Sequence, residues 1–408
     1  MKKILILGAG NHQVHIIKQA KEMSLYTIVV SPDGDYPGLK LADKVYYVDA
    51  TDGKKVYEIA QAESVDGIVT DQGEMFVRSQ AYAAEKMGLQ GIGYERALLF
   101  TDKNAQKEKC EMLGLPTIEH GLVKTLQEAK DLFRKINGNA IIKPTDSSGS
   151  RGVTKIVEER DLEDNFETTK AFSRDGNVIM ERFINGPEYE VDSVVVNGEC
   201  KYLMHADLTE FQIPNVFACS TILFPSMADS KVIEQLIDTN KKTIEGLGLE
   251  NGLAHAEYIM DDATGNIYLM EAAARGGGLF LSSHIAEMQT GLNTAEFLIN
   301  LALGNIKELP EFQRELCHCG YVSFYLPVGE VVSLEGLDEA LMLPYVTKNL
   351  IHVKNEMKTT KYTDKRLRNV LFLRAQSREE LMSHIEEIRK TIKIKVKTPD
   401  GIKGPIWN

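Results

Sequence analysis

The chain opens on a short apolar run, Lys3–Leu7, followed by helical periodicity from about His12 to Met23 and a second apolar run at Thr27–Ser31. Runs at Val45–Asp49 and Gly67–Thr70 continue the pattern, and a helix through Glu74–Met87 stops at Gly88. Strand, helix, strand at this spacing predicts a parallel doubly wound sheet. From Leu98 to Leu113 the periodicity is that of one charged helix ended by Gly114 and Pro116. Strands are then predicted at Ala140–Lys143, Val153–Val157, Val178–Glu181 and Glu188–Val196, and the apolar helix Thr294–Leu303 closes this stretch, capped by Gly304. The last hundred residues read as strands near Tyr321–Leu326 and Val370–Arg374 with an amphipathic helix from Ser377 to Ile392. The expected class is mixed α/β, in three consecutive stretches of 1–98, 99–307 and 308–408.

Composition narrows the function classes. At 408 residues and 43% hydrophobic the chain is long enough for a sizeable core, which excludes a disordered or low-complexity protein. A formal net charge of −12 argues against nucleic acid as a partner. The longest apolar runs, at 4–7 and 297–303, fall far short of the roughly 20 residues of a membrane span. Asn11-His12-Gln13 follows the opening apolar run where a signal peptide would place small residues, so that run reads as a first strand. Five scattered cysteines suit a reducing compartment, and the cytosol is the expected location. Cys317, His318 and Cys319 alternate faces on an extended segment, which argues against a zinc site.

Four motifs carry candidate chemistry. Gly8-Ala9-Gly10 follows the first strand, but position 13 is Gln where a dinucleotide fingerprint needs its third glycine. It reads as a tight strand-to-helix turn beside a substrate. Lys143 is delivered by a strand into Ser147-Ser148-Gly149-Ser150-Arg151-Gly152, after which a strand resumes. Small residues let backbone N–H groups converge on phosphate oxygens while the lysine adds a point charge; a hairpin with a polar tip fits the same pattern. The Val178–Glu181 strand runs through Arg182-Phe183-Ile184 and a Gly186-Pro187 turn into a second strand starting at Glu188. Such a segment offers backbone groups to an adenine edge and a carboxylate to ribose hydroxyls, though a surface turn with solvated acids reads alike.

The fourth motif is the most informative. Asp261-Asp262-Ala263-Thr264-Gly265-Asn266 is a turn cluster between two β-prone runs, and so predicts a hairpin. A turn centred on Thr264 puts Glu257 opposite Glu271 and His255 opposite Ala273, with Arg275 on the same face. Two directly opposed carboxylates repel unless a proton, a lysine or a divalent cation offsets them. Hard oxygen donors beside a phosphate loop favour Mg²⁺, with Mn²⁺ as a substitute. Arg275, followed by Gly276-Gly277-Gly278, can project toward a developing anion.

These pieces in this order resemble the ATP-grasp superfamily across essentially the whole chain, in particular the carboxylate–amine ligases that include the bacterial L-amino acid ligases. More distantly the chain is similar to biotin carboxylase and the carbamoyl phosphate synthetase large chain. The resemblance implies a Rossmann-like pre-ATP-grasp domain at 1–98, an ATP-grasp domain at 99–307 with a mobile lid over about 123–183, and a lid-side domain at 308–408. It implies ATP and Mg²⁺ as cofactors. Lys103 and Lys143 match the phosphate lysines, Ser147, Ser148, Gly149, Ser150 and Gly152 the loop over the phosphates, and Glu181, Phe183 and Ile184 the adenine hinge. Glu188 matches the ribose carboxylate, Glu257 and Glu271 the magnesium carboxylates, and Arg275 the arginine that steadies an acyl phosphate. Ala273 stands where the superfamily pattern usually has Asn, which removes one neutral oxygen ligand; with His255 two residues before Glu257 this resembles the L-amino acid ligase branch.

The activity so implied is ATP-driven amide formation from a small-molecule carboxylate and an amine, one of them an amino acid, by way of an acyl phosphate. His255 would order the amine, with Glu74, Asp207, Glu210 and Gly277 as further substrate candidates and the segment His205–Pro214 as a substrate loop. A carboxylating or carbamoyl-forming ligase and a non-enzymatic ATP-binding module are the alternatives. A homodimer is what the resemblance implies for assembly.

Overall fold

The computed structural model describes residues 1–147, 149–360 and 365–408. They form two compact units, each drawn from three segments. The first comprises Met1–Ile118, Glu190–His205 and Ala228–Arg314; the second Glu119–Tyr189, Ala206–Met227 and Glu315–Asn408.

The first unit begins with the parallel sheet that the sequence predicts, in spatial order Lys44–Tyr47, Tyr26–Ser31, Lys3–Leu7, Gly67–Val69. Leu5, Leu7, Ile28, Val30 and Ile68 are fully buried in its core, which removes their apolar surface from water at about 25 cal/mol per Å². The single charged helix expected over 98–113 is instead two, Tyr94–Leu99 and Lys103–Met112. Asp102 is the reason: its backbone is extended and its side chain accepts the Ala105 N–H at 2.9 Å, so a new helix starts there. The first turn of the expected 74–87 helix is a 3₁₀ turn, Glu74–Phe76, and the α-helix runs Val77–Met87.

In the same unit, the strands Ile267–Ala273 and Gly252–Met260 and the parts of the next two that fall within it, residues 190–196 and 199–205, lie side by side in that order. The helix Ser230–Gly246 packs on the Gly252–Ala273 hairpin and fixes its orientation. Tyr258 is buried and donates to Asn240 Oδ1 at 3.0 Å, while Asn240 Nδ2 donates to Ser193 at 2.7 Å. With side chains alternating, Tyr258 facing this helix sends His255 and Glu257 to the opposite face. That is the face with the chemistry.

The second unit holds an antiparallel sheet in the order His120–Val123, Val178–Arg182, Ala140–Pro144, Thr154–Ile156, backed by the helices Leu126–Lys135 and Glu159–Lys170. Ile142, Met180, Leu162 and Phe166 close its core. Its remaining strands include the neighbours Cys219–Phe224, His318–Phe324, Asn369–Ala375 and Val346–Leu350 and a further four-stranded sheet over 329–403. Here the expected 321–326 strand begins three residues earlier, at His318. The helix Arg378–Thr391 starts where Ser377 predicts: the Ser377 hydroxyl accepts the Glu380 N–H at 3.2 Å. Ser377→Ala should therefore cost about 1 kcal/mol of stability, read as a lower denaturant midpoint with an unchanged slope.

Candidate functional site

In the first unit the hairpin register places Glu257 opposite Glu271 and His255 opposite Ala273, as the sequence predicts. A bulge lies between Glu257 and Tyr258, so the pairs nearer the turn run one residue off the outer ones. The two opposed carboxylates are partly exposed, Glu257 at 39% and Glu271 at 32% of the side chain. Their repulsion is offset by cations on both sides: Lys103 Nζ lies 2.8 Å from Glu271 Oε1, and His255 Nε2 lies 3.6 Å from Glu257 Oε1. Lys103 is the first residue of its helix, so the Asp102 cap that breaks the charged segment also aims this lysine.

Arg275 follows two residues past the strand's last residue. Its guanidinium donates to Glu74 Oε2 at 3.2 Å and to the Gly276 carbonyl at 2.9 Å, and its Nε–H has no hydrogen-bond partner among the described residues. Burial opposes the charged form, but the carboxylates of Glu74 and Glu271 outweigh it and hold the arginine more firmly protonated than usual. Gly276 N–H donates at 3.2 Å to Asp71, which is fully buried with His15 Nε2 at 3.1 Å. The Arg275–Gly277 segment is thus fastened at both its side chain and its backbone.

His255 sits among three acids. Its Nδ1 is 2.9 Å from Asp192 Oδ1 and 3.7 Å from Glu190 Oε1. Burial disfavours the imidazolium, yet Glu190 and Asp192 more than compensate and raise its pKa well above the ordinary histidine value. Burial likewise pushes Glu190 well above the usual carboxylate range; the positive His255 works against that rise, and the neighbouring Asp192 and Glu257 charges add to it. Gly277 packs on this group: a Cβ there would come within 3.1 Å of His255 Nδ1 and 3.4 Å of Asp192 Oδ2.

In the second unit, Lys143 and Glu181 meet at 3.1 Å, with Glu181 almost wholly buried. The register pairs Ile141 with Glu181 and Lys143 with Ile179, so the ion pair is a diagonal cross-strand contact. The segment beyond Lys143 is a hairpin connection, since Ala140–Ile142 pairs with Thr154–Ile156. Gly149, Ser150 and Gly152 all have left-handed backbones, with φ of +70°, +56° and +76°. Ser147 is buried beside them, and Ser148 lies outside the described residues. The loop is anchored at its root, where Asp146 accepts from Ser173 at 3.1 Å and from the Arg174 N–H at 3.0 Å. Phe183 lies under the Lys155 ammonium, 3.6 Å from the ring centre, Ile184 is buried, and Glu188 begins its strand half-buried.

One expectation needs correction. His205–Glu210 is not a loop but the end of the Glu199–Glu210 strand, where polar His205, Asp207 and Thr209 alternate with Ala206 and Leu208. Asp207 is engaged within the second unit by Arg378 at 3.0 Å, by the Met227 N–H at 3.0 Å and by the Ser226 hydroxyl. Glu210 ends the same strand, half-buried, where the register slips against Cys219. Glu74 is engaged by Arg275. Sequence reasoning missed Glu190 and Asp192 altogether. Their signal was the alternation Glu188, Glu190, Asp192 along a strand, but nothing local says which strand lies alongside.

Glu257 and Glu271 fit a hard divalent cation: two carboxylates on one sheet face, partly open and directly opposed. Residues 102–311, just over half of the chain, match the family described as the carbamoyl-phosphate synthase L chain, ATP binding domain. The chain belongs to the ATP-grasp superfamily. An alanine–anticapsin ligase of Bacillus subtilis (strain 168) is 27% identical over 323 residues, covering 70% of this ATP-grasp chain and 66% of the relative, just under two thirds of its length. An L-amino acid ligase from Bacillus licheniformis superposes with a TM-score of 0.86 at 20% identity, over 98% of this chain and 99% of that one. The biotin carboxylase domain of a Hydrogenobacter thermophilus 2-oxoglutarate carboxylase, in complex with MgADP, ADP and bicarbonate, gives 0.74 at 20% identity over 100% and 92%. These superpositions bear on the ATP-grasp fold alone.

Proposed function

We propose that this ATP-grasp protein is an ADP-forming carboxylate–amine ligase that takes an amino acid as one substrate. The observation that carries the reading is the Glu257–Glu271 opposition with Lys103 and Arg275 beside it. The similarity to an alanine–anticapsin ligase and the fold of an L-amino acid ligase support the amide-forming branch.

In this reading a substrate carboxylate oxygen attacks the γ-phosphorus of ATP, the bond to the β-phosphate oxygen breaks, and ADP leaves. The amine nitrogen then attacks the acyl phosphate carbon, loses a proton, and expels inorganic phosphate. Attack of one anion on another is slow in water, so the protein's task is charge compensation and orientation. Lys143 and Lys103 hold phosphate oxygens, Glu181, Phe183 and Ile184 frame the base, and Glu188 takes the ribose. Glu257 and Glu271 would hold Mg²⁺, or Mn²⁺ in its place, which when bound supplies Lewis-acid neutralisation of the phosphate oxygens. Lys103, ion-paired to Glu271 here, would turn to the phosphate oxygens when nucleotide is bound. Arg275 faces the tetrahedral oxyanion, and the 146–152 loop excludes the water that would hydrolyse the acyl phosphate.

The test is ADP and phosphate release on ATP, Mg²⁺ and pairs of amino acids, with mass analysis for the new amide. An ATPase rate indifferent to every carboxylate would defeat the reading. The match to a carbamoyl-phosphate synthase domain favours a second reading, in which the activated acid is bicarbonate; ADP release on bicarbonate alone would establish it. Lys143→Met should raise the ATP Kd roughly 10- to 100-fold, the loss of a charge-assisted contact of about 1.5–3 kcal/mol. Because that change removes the Lys143 charge beside a buried Glu181, it is best measured alongside Lys143→Met/Glu181→Gln, which removes both charges of the pair. Unchanged nucleotide affinity in both would remove Lys143 from the site.

A further inference from the structure

We propose that Glu190, Asp192 and His255 form a binding site for a divalent transition-metal ion, of the zinc class, separate from the Glu257–Glu271 pair. One ligand atom from each of the three lies within 4.8 Å of the others. Donors about 2.0–2.2 Å from a common ion stand at most about 4.4 Å apart. The 2.9 Å and 3.7 Å separations from His255 Nδ1 to Asp192 and Glu190 already satisfy this, and small side-chain shifts close the rest.

Unsatisfied buried oxygens point to an ion. Glu190 is wholly inaccessible, and neither of its oxygens nor Asp192 Oδ2 has a hydrogen-bond partner among the described residues. Buried polar atoms without partners are costly, and a bound cation would satisfy all three at once. The imidazole in the donor set selects zinc over magnesium and manganese, which prefer oxygen donors. Gly277 leaves free the space next to Nδ1 and Oδ2 that any side chain would occupy. Binding releases the proton that Nδ1 shares with Asp192 to solvent. The ion would tie Glu188–Val196 to Gly252–Met260 and so set where His255 Nε2 and Glu257 meet.

The site is independent of the ligase reading, and its test needs no turnover. Purified protein, stripped with chelator and checked for native circular dichroism, is dialysed against Zn²⁺ without nucleotide. One equivalent should bind to the wild type and to Glu271→Gln alike. Glu190→Gln and Asp192→Asn should each weaken it by more than the roughly 10- to 100-fold that losing an outer-shell partner costs. No uptake at submillimolar ion, or uptake abolished by Glu271→Gln and untouched by the other two, overturns the proposal. Anomalous diffraction from wild-type crystals soaked in Zn²⁺ supplies a reading free of variants: a peak among the three residues is expected, and its absence overturns the site.

Discussion

Replacing Glu271 with Gln should lower turnover by roughly 10³-fold while the protein stays folded, the equivalent of about 4 kcal/mol of transition-state charge stabilisation. The size of the effect is what separates a metal ligand from a structural acid. The direct ion pair of Glu271 is with Lys103, and the Glu271 carboxylate is a third exposed. A pair that open to solvent is worth about 1 kcal/mol at most, so losing it alone should cost less than about tenfold. A second comparison sharpens the result. Lys103→Met removes the same ion pair but leaves both carboxylates, and should chiefly raise the ATP Kd. If Glu271→Gln and Lys103→Met behave identically, and their combination adds nothing, the two residues act only on each other and the metal assignment fails. Raising Mg²⁺ should partly restore the rate of Glu271→Gln, because an amide oxygen remains a weak oxygen ligand, and should leave that of Lys103→Met unchanged.

Much of this arrangement was legible because it is local. The hairpin follows from a six-residue turn cluster, and the shared face of His255, Glu257 and Glu271 follows from the period of a strand. The turn cluster alone centres the hairpin on Thr264, whereas Met260 pairs with Ile267 and so centres it half a residue earlier. The bulge places one extra residue, Met270, in the returning strand and restores the expected outer pairs. The Asp102 cap was legible too, as an acid preceding Lys103-Asn104-Ala105, but the charged periodicity on either side hid the break. What could not be read is contact at long range. Asp192 reaches His255 across 63 positions and Lys103 reaches Glu271 across 168, and no pattern in either segment names its partner. The same holds for His205–Glu210, which looked like a loop for its polar residues and is a strand because Cys219–Phe224 pairs with it.

Arg275→Lys should reduce turnover by about 10²- to 10³-fold, with the ATP Kd changed little, if the guanidinium stabilises the tetrahedral oxyanion. Lysine keeps the charge and still reaches Glu74, so the buried carboxylate retains a partner and the fold is preserved. What is lost is the planar fork: Arg275 spends one nitrogen on Glu74 and another on the Gly276 carbonyl, leaving Nε–H without a partner in a nearly buried position. A buried donor left unpaired costs about 1–3 kcal/mol, a cost that an oxyanion arriving in the transition state would relieve. Glu74→Gln gives the counterpart. If Glu74 serves only to aim the arginine, its amide should still accept the N–H, and turnover should fall by less than about tenfold. The order of the two effects decides the assignment: were Glu74→Gln the more damaging, Glu74 would itself touch substrate, and Arg275 would be its support.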